Sequence, residues 1–447
     1  MNDDGLPPGQ RFWVMGCILL GVSLSTLDGA IANIALPTIA RQFAASESAT
    51  VWIVNSYQLA LTVCLLPAAA ATEIFGLKRM YAIGLIAFAV ASLACALSPN
   101  LDVLVVARLV QGGSSAAVAA GGPALVRGIY PHRQIGVGFA YIATTVALSA
   151  ALGPTISALI LSVASWPVLF LVNVPSCLIA APLFLAVAPA SARQKRAFDL
   201  SGAVLSAVAL GLVVVGIAGL GGAHSTISAI ETLAGLVCFG LLVWQQSRRS
   251  APLLPLDLMR IPLFALSVCT STCSYCAQIL AYVSLPFLFQ TIMHRSTVAT
   301  GLLVTPWPVM VACVAPVAGR LTARYPASVL GTIGLAVLAT GLLLLALLPA
   351  APADWDIVWR MAICGIGFGF FQTPNNTALM TAGPVERSGA ASGMVGVART
   401  VGWSLGSALV ALIFALRGPD GAVMCLAVGA GFAAGGAVVS SARRFAR

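Results

Sequence analysis

Charge is what this sequence has least of: Asp, Glu, Lys and Arg make up 8% of its 447 residues, against about a quarter in soluble globular domains. Lysine is nearly missing, with only Lys78 and Lys195. Neither follows the glycine-rich run of a P-loop, where a lysine reaches nucleotide phosphates, so ATP-driven work through such a loop is excluded. The histidines His132, His224 and His294 all fall between apolar runs rather than inside them. A nucleophile, metal set or acid–base pair within the runs is therefore lacking, and the chain does not read as an enzyme or as a holder of a cofactor. All eleven cysteines lie in apolar runs, which argues against a disulfide framework. Cys269, Cys273 and Cys276 would share one helix face, a soft-metal spacing, but no His or acid joins them in the run, and no metal site is expected.

What the sequence has in abundance is apolar length. Hydrophobic residues make up 60% and the mean hydropathy is +1.00. Crossing a hydrocarbon core takes about 20 residues, and fourteen runs approach or exceed that: 12–33, 50–72, 80–98, 102–126, 136–163, 167–188, 200–220, 227–245, 262–291, 297–319, 328–348, 357–381, 390–416 and 421–441. The fold class is an all-α polytopic membrane protein, with the lipid bilayer as its solvent. The first run is too long for a signal peptide's apolar region and has no clear cleavage site, so it reads as an uncleaved span.

The net charge of +10 has a topological source. With a cytoplasmic N-terminus, seventeen of the twenty-three basic residues face inward, Arg41, Arg295, Arg360 and Arg417 face outward, and Arg108 and Arg399 lie within runs. This is the positive-inside asymmetry, and it places both termini in the cytoplasm without invoking nucleic acid.

Two basic connecting segments, 189–199 and 245–262, bracket the seventh and eighth runs. Removing that pair leaves six runs on each side, and the two sixes echo one another, as internal repeats around a midplane site do. The expected division is 1–190 as an N-terminal six-helix bundle, 191–261 as a linker with two additional transmembrane helices, and 262–447 as a C-terminal six-helix bundle.

Of thirteen acidic residues, only Asp28 falls well inside a run. At a helix centre an acid costs roughly 2.5 to 3.5 kcal/mol on insertion scales. Desolvation raises a carboxylate's proton affinity and a nearby cation lowers it, so such a group can exchange a proton for a charged ligand; it can also be a structural acid paired with a neighbouring Arg. Arg108 is the natural partner, because its depth below the outer end of the fourth run matches that of Asp28. Gln111, three residues on, shares its face.

The string LDGAIANIALP, Leu27 to Pro37, with Asp28, Asn33 and Pro37, resembles the first-span signature of the fourteen-span drug:proton antiporters of the major facilitator superfamily, the EmrB/QacA group. ARLVQGGSSAA, Ala107 to Ala117, is similar to the family's fourth-span motif at Arg108, Gln111 and Gly112. LSAALGPTISA, Leu148 to Ala158, resembles the antiporter motif at Gly153 and Pro154, with Ser157 and Ala158 in place of the usual glycine pair. The loop after the second run keeps Glu73, Gly76, Lys78 and Arg79 but lacks the family's first Gly and an Arg at position 74. GIGFGFFQTPNNTALM, with Asn375 and Asn376, and GAASGMVGVARTVGWSLGSAL, with Arg399, resemble the same group.

The resemblance implies a major facilitator fold, with two six-helix bundles plus two extra central transmembrane helices. It further implies proton coupling or cationic-substrate recognition at Asp28, proton modulation by Arg108, a hinge at Gly153-Pro154, and cytoplasmic gating at Glu73, Gly76, Lys78 and Arg79. Arg399 is read as binding anionic substrate groups or a helix end; Tyr275, Tyr282, Phe368 and Phe371 are candidate cavity aromatics. The expected function is a proton-coupled efflux antiporter of the bacterial inner membrane, exporting hydrophobic molecules, cationic ones included, by alternating access. A dedicated exporter of one endogenous metabolite is the alternative, with a non-transporting receptor or scaffold behind it. The partners are a small-molecule substrate and protons; accessory efflux partners stay open.

Overall fold

Lipid offers no hydrogen bonds, so a chain this apolar must satisfy its backbone within each segment. In the computed structural model, the described residues are 5–131, 134–189, 199–222, 225–248, 256–322, 324–349, 351–383 and 388–444, and among them there is no strand. The helices run α1 (Pro8–Gln42), α2 (Glu47–Phe75), α3 (Leu77–Ala96), α4 (Leu101–Ile129), α5 (Ile135–Val163), α6 (Pro167–Leu171), α7 (Asn173–Val187), α8 (Leu200–Gly219) and α9 (Ser225–Ser247). They continue as α10 (Leu256–Met259), α11 (Pro262–Phe287), α12 (Thr297–Val304), α13 (Pro306–Leu321), α14 (Ala327–Ala346), α15 (Asp354–Thr381), α16 (Ser388–Arg417) and α17 (Gly421–Ala442). Eleven stretches of described residues are long and apolar enough to cross a bilayer. One of them, Gly393–Ala442, turns at Gly418–Asp420 into α16 and α17. Helices α5 and α15 have 29 and 28 residues.

Local chemistry sets the helix starts. Ser46, Asn100, Asp199 and Ser296 each accept a hydrogen bond from the backbone N–H three residues on, the usual N-cap bond. Two of these caps expose the internal repeat. Ala44 and Ser46 open α2, His294 and Ser296 open α12, and Ala44 and His294 are the two non-glycine residues with positive φ among those described, at 49° and 52°. The same unusual backbone recurs at equivalent places in the two halves.

Helices α1 to α7 pack among themselves, as do α11 to α17. The pair α8–α9 closes on glycines: Gly216 sits against Thr232 and Ser228, and Gly235 against the backbone of α8 at Ala209 and Val213. The Asp199 side chain accepts from Gln246 at 2.9 Å. α9 packs mainly on α8, and leaves Leu233, Leu236 and Val237 exposed.

The halves meet at mid-depth and at the end opposite the chain termini. Ser48 Oγ donates to the Ala411 carbonyl at 3.0 Å, Gln290 Nε2 to the Ile34 carbonyl at 3.0 Å, and the hydroxyls of Thr62 and Ser404 lie 3.0 Å apart. On the other flank Thr155 meets Thr305 at 2.7 Å, and Gly301 lies against Ala158 and the Pro154 carbonyl.

Candidate functional site

Asp28 lies in the middle of α1 and is 2% exposed. Helix geometry turns its carboxylate toward α3, α4 and α7, into the interior of the first half. Its Oδ2 accepts from Arg108 Nη1 in a short ion pair. Its Oδ1 accepts from Gln111 Nε2 and from Asn173 Nδ2, each at 2.9 Å. A carboxylate in hydrocarbon needs both a counter-charge and donors for its remaining lone pairs, and three side chains supply them.

Each donor is itself held. Arg108 Nε donates to the Ile53 carbonyl at 3.1 Å, and its Nη1 also donates to Gln111 Oε1 at 2.6 Å. The guanidinium lies 4.2 Å from the Tyr57 ring centre and 5.5 Å from that of Phe170, so aromatic faces cover the cation where oxygen does not. Gln111 and Asn173 share Ser92 Oγ as acceptor, at 2.8 and 3.4 Å. The Tyr57 hydroxyl donates to either the Ser25 carbonyl at 3.1 Å or Ser115 at 2.9 Å, which joins α1, α2 and α4. Gly112 makes this closeness possible: a Cβ there would overlap the Tyr57 carbonyl.

The depth match thus places Arg108 and Gln111 on Asp28, and the structure adds Asn173, Ser92, Tyr57 and Phe170. Asn173 had a signal in the sequence: it is the most polar side chain in Pro167–Val187. The expectation that Asp28 meets a cationic substrate directly is not what this conformation presents, because the carboxylate is sealed and its acceptors are used.

The other candidates lie apart. Asn33 is buried with an unpartnered Oδ1, and the Pro37 carbonyl accepts from Arg41 Nε at 3.3 Å. Gly153 and Pro154 lie within an unbroken α5, where Pro154 meets Gly301 of the other half. Gly76 has φ 95° and joins α2 to α3, a conformation suited to glycine. Lys78 Nζ donates to the Ala188 carbonyl at 2.6 Å, Arg79 is exposed, and the Glu73 side chain lies outside the described residues.

In the second half, Asn375 is buried in a different network. It donates to Ser271 Oγ at 2.7 Å and accepts from Arg443 Nη1 at 2.7 Å, while Arg443 also donates to Ser267 and Ser440. Burial pushes the Arg443 guanidinium down to about 10, which leaves it charged at neutral pH. Asn376 is half-buried beside it in sequence, outside that network. Arg399 is half-buried, lies 5.4 Å from the Trp403 ring centre, and makes no ion pair among the described residues.

One expectation needs correction. Phe368 and Phe371 are core residues, 2% and 1% exposed, and Phe371 packs toward Gly331 and Gly334 of α14 because those glycines leave room for the ring. Of the three cysteines of α11, Cys269 is exposed and shares a side-chain hydrogen bond with Cys273, Cys273 lies against Gly436 of α17, and Cys276 packs against Gly406 of α16. No cluster of three metal-ligating side chains occurs among the described residues.

Comparison with known proteins gives a consistent picture. The sequence profile described as Major Facilitator Superfamily matches residues 18–407. The uncharacterized transporter YebQ of Escherichia coli is 47% identical over 443 residues, covering 98% of this chain and 97% of that one. Multidrug resistance protein Stp of Mycobacterium tuberculosis is 34% identical, covering 89% of this chain and 74% of its own length. In fold, the chain is similar to a bacterial homologue of the human lysosomal transporter Spinster, in its inward-facing and unoccupied conformation. The TM-score is 0.68 at 13% identity, with 99% and 97% of the two chains covered.

Proposed function

Because this chain belongs to the Major Facilitator Superfamily, we propose that it is a proton-coupled antiporter that exports hydrophobic small molecules, drugs or toxic compounds among them, by alternating access. The observation that carries the reading is the sealed Asp28–Arg108 pair, an ion pair with both partners buried inside the first half. Such a pair is costly to keep in lipid, and it has the chemistry of a proton switch. Movement of α1 against α4 would part the carboxylate from Arg108, and a proton is the counter-charge that can follow it through the membrane. Each proton that enters through 100 mV supplies about 2.3 kcal/mol.

The contacts between halves support an open path at the end carrying the termini, since the bonded contacts lie at mid-depth and at the opposite end. With the basic residues concentrated at that end, it is the cytoplasmic face of a bacterial inner membrane. The arrangement is then fourteen spans: a bundle within 1–190, two additional helices within 191–261 and a bundle within 262–447. The multidrug-resistance relative favours a drug-like substrate range. Everted vesicles test the mechanism once a drug-susceptibility panel in an exporter-deficient bacterium has supplied a compound. That compound should dissipate a preformed proton gradient with the wild type and fail to do so with Asp28→Asn at equal membrane abundance; full proton exchange by the variant overturns the coupling role.

A further inference from the structure

A second polar cluster faces the space between the halves and takes no part in the ion pair. Trp403 Nε1 donates to Gln278 Oε1 at 3.1 Å, and its ring packs edge-on against Tyr275 with centres 6.0 Å apart. The Tyr275 hydroxyl accepts from Gln372 Nε2 at 3.0 Å. Arg399, one turn before Trp403, covers the indole from the side of the termini. Neighbours on α16 fix the direction of this strip. Gly402 and Gly406 lie against α11, while Gly396 and Ser404 lie against Leu65 and Thr62 of α2. Arg399 and Trp403 occupy the stripe between those two faces, and α2 and α11 belong to different halves.

Among the described residues Arg399 makes no ion pair and no hydrogen bond, and its Nε is buried without a partner. Asp28 cannot serve it, because its oxygens are taken by Arg108, Gln111 and Asn173. An unneutralised guanidinium within the membrane is expensive and marks a path for an ion or substrate. On α2, one turn further from the termini than Thr62, Gln58 Oε1 is also buried without a partner.

Resting on the exporter reading above, we propose that this strip is the substrate site and that the substrate is an acidic aromatic molecule. A carboxylate, sulfonate or phenolate pairs with the guanidinium, which suits bidentate acids. The planar ring stacks on Trp403, and a donor on the ring answers Gln58. With a bare cation on the wall, lipophilic cations are repelled rather than bound.

The test uses the full-length protein in nanodiscs and a matched series: naphthoate, naphthamide and a naphthyl trimethylammonium. Naphthoate should bind at least about tenfold more tightly than the other two, the scale of one charge-assisted hydrogen bond. Arg399→Gln should erase that preference, and Arg399→Lys should keep part of it. Equal or tighter binding of the ammonium, an undiminished preference in Arg399→Gln, or no binding by any member overturns the proposal. The two readings separate in everted vesicles. Proton exchange driven by the ammonium sinks the acidic-substrate assignment and leaves antiport standing. Binding of naphthoate with no proton movement does the reverse.

Discussion

The ion pair of the first half has an apolar counterpart in the second, and that contrast gives the sharpest test of whether it serves stability or transport. Gly112 and Gly365 pack in the same way, each against the carbonyl of an aromatic residue, Tyr57 and Trp307. Four residues before each glycine stand Arg108 and Met361; one residue before stand Gln111 and Cys364. Matching Leu36-Pro37 of α1 with Leu285-Pro286 of α11 puts Ala277 at the place of Asp28. Ala277, Met361 and Cys364 are fully buried, so the fold already packs an apolar set at that position.

Consider Arg108→Met alone against the triple variant Asp28→Ala/Arg108→Met/Gln111→Cys. The single change removes one partner of a buried pair, which typically costs about 3 to 5 kcal/mol. Asp28 keeps Gln111 and Asn173 as donors, so the loss falls near the lower end. The triple variant removes the charge from both sides, a replacement that is neutral or stabilising by about 1 to 4 kcal/mol where packing is good. Against this, the Ile53 carbonyl and part of Asn173 lose their partners, at about 1 to 3 kcal/mol for each buried orphan. The triple variant should therefore unfold within a few degrees of the wild type, and Arg108→Met well below both. Thermal unfolding in detergent with a thiol-reactive fluorophore reads this directly, because all eleven cysteines are free and most are shielded. Proton exchange in everted vesicles should be absent from the triple variant. A triple variant less stable than the single one refutes the packing argument, and one that still exchanges protons refutes the role of Asp28.

Other consequences follow from single contacts. Gly365→Ala should lower the unfolding temperature and the yield of folded protein, since the new Cβ meets a backbone carbonyl that cannot rotate away and overpacking costs about 1 to 3 kcal/mol; unchanged stability would show that α13 and α15 separate freely. Asn55→Leu should raise the stability of this conformation, because neither polar atom of the buried Asn55 amide has a partner, at a cost of about 1 to 3 kcal/mol on protein scales. The same variant should transport more slowly. Cysteine labelling from the side opposite the termini checks this: labelling of Asn55→Leu at the wild-type rate would mean that the amide does not bias opening.

Hydropathy alone determined that the chain is helical, membrane-spanning and built from repeated units. A lipid solvent tolerates little else, so the approximate positions of the apolar helices were legible. The ion pair was legible in part for the same reason: Asp28 and Arg108 are rare charges at equal depth, and equal depth is all that a one-dimensional pattern can offer. It could not say which way they point. Faces toward lipid and faces toward protein are both apolar, so the periodicity that orients helices in water is weak here. Only packing showed that Asp28 turns inward to Asn173 and Ser92. The same packing sends Phe368 and Phe371 to the core. It leaves Arg399 and Trp403 between the halves, because glycines on either side of them bring α11 and α2 close enough to define the strip.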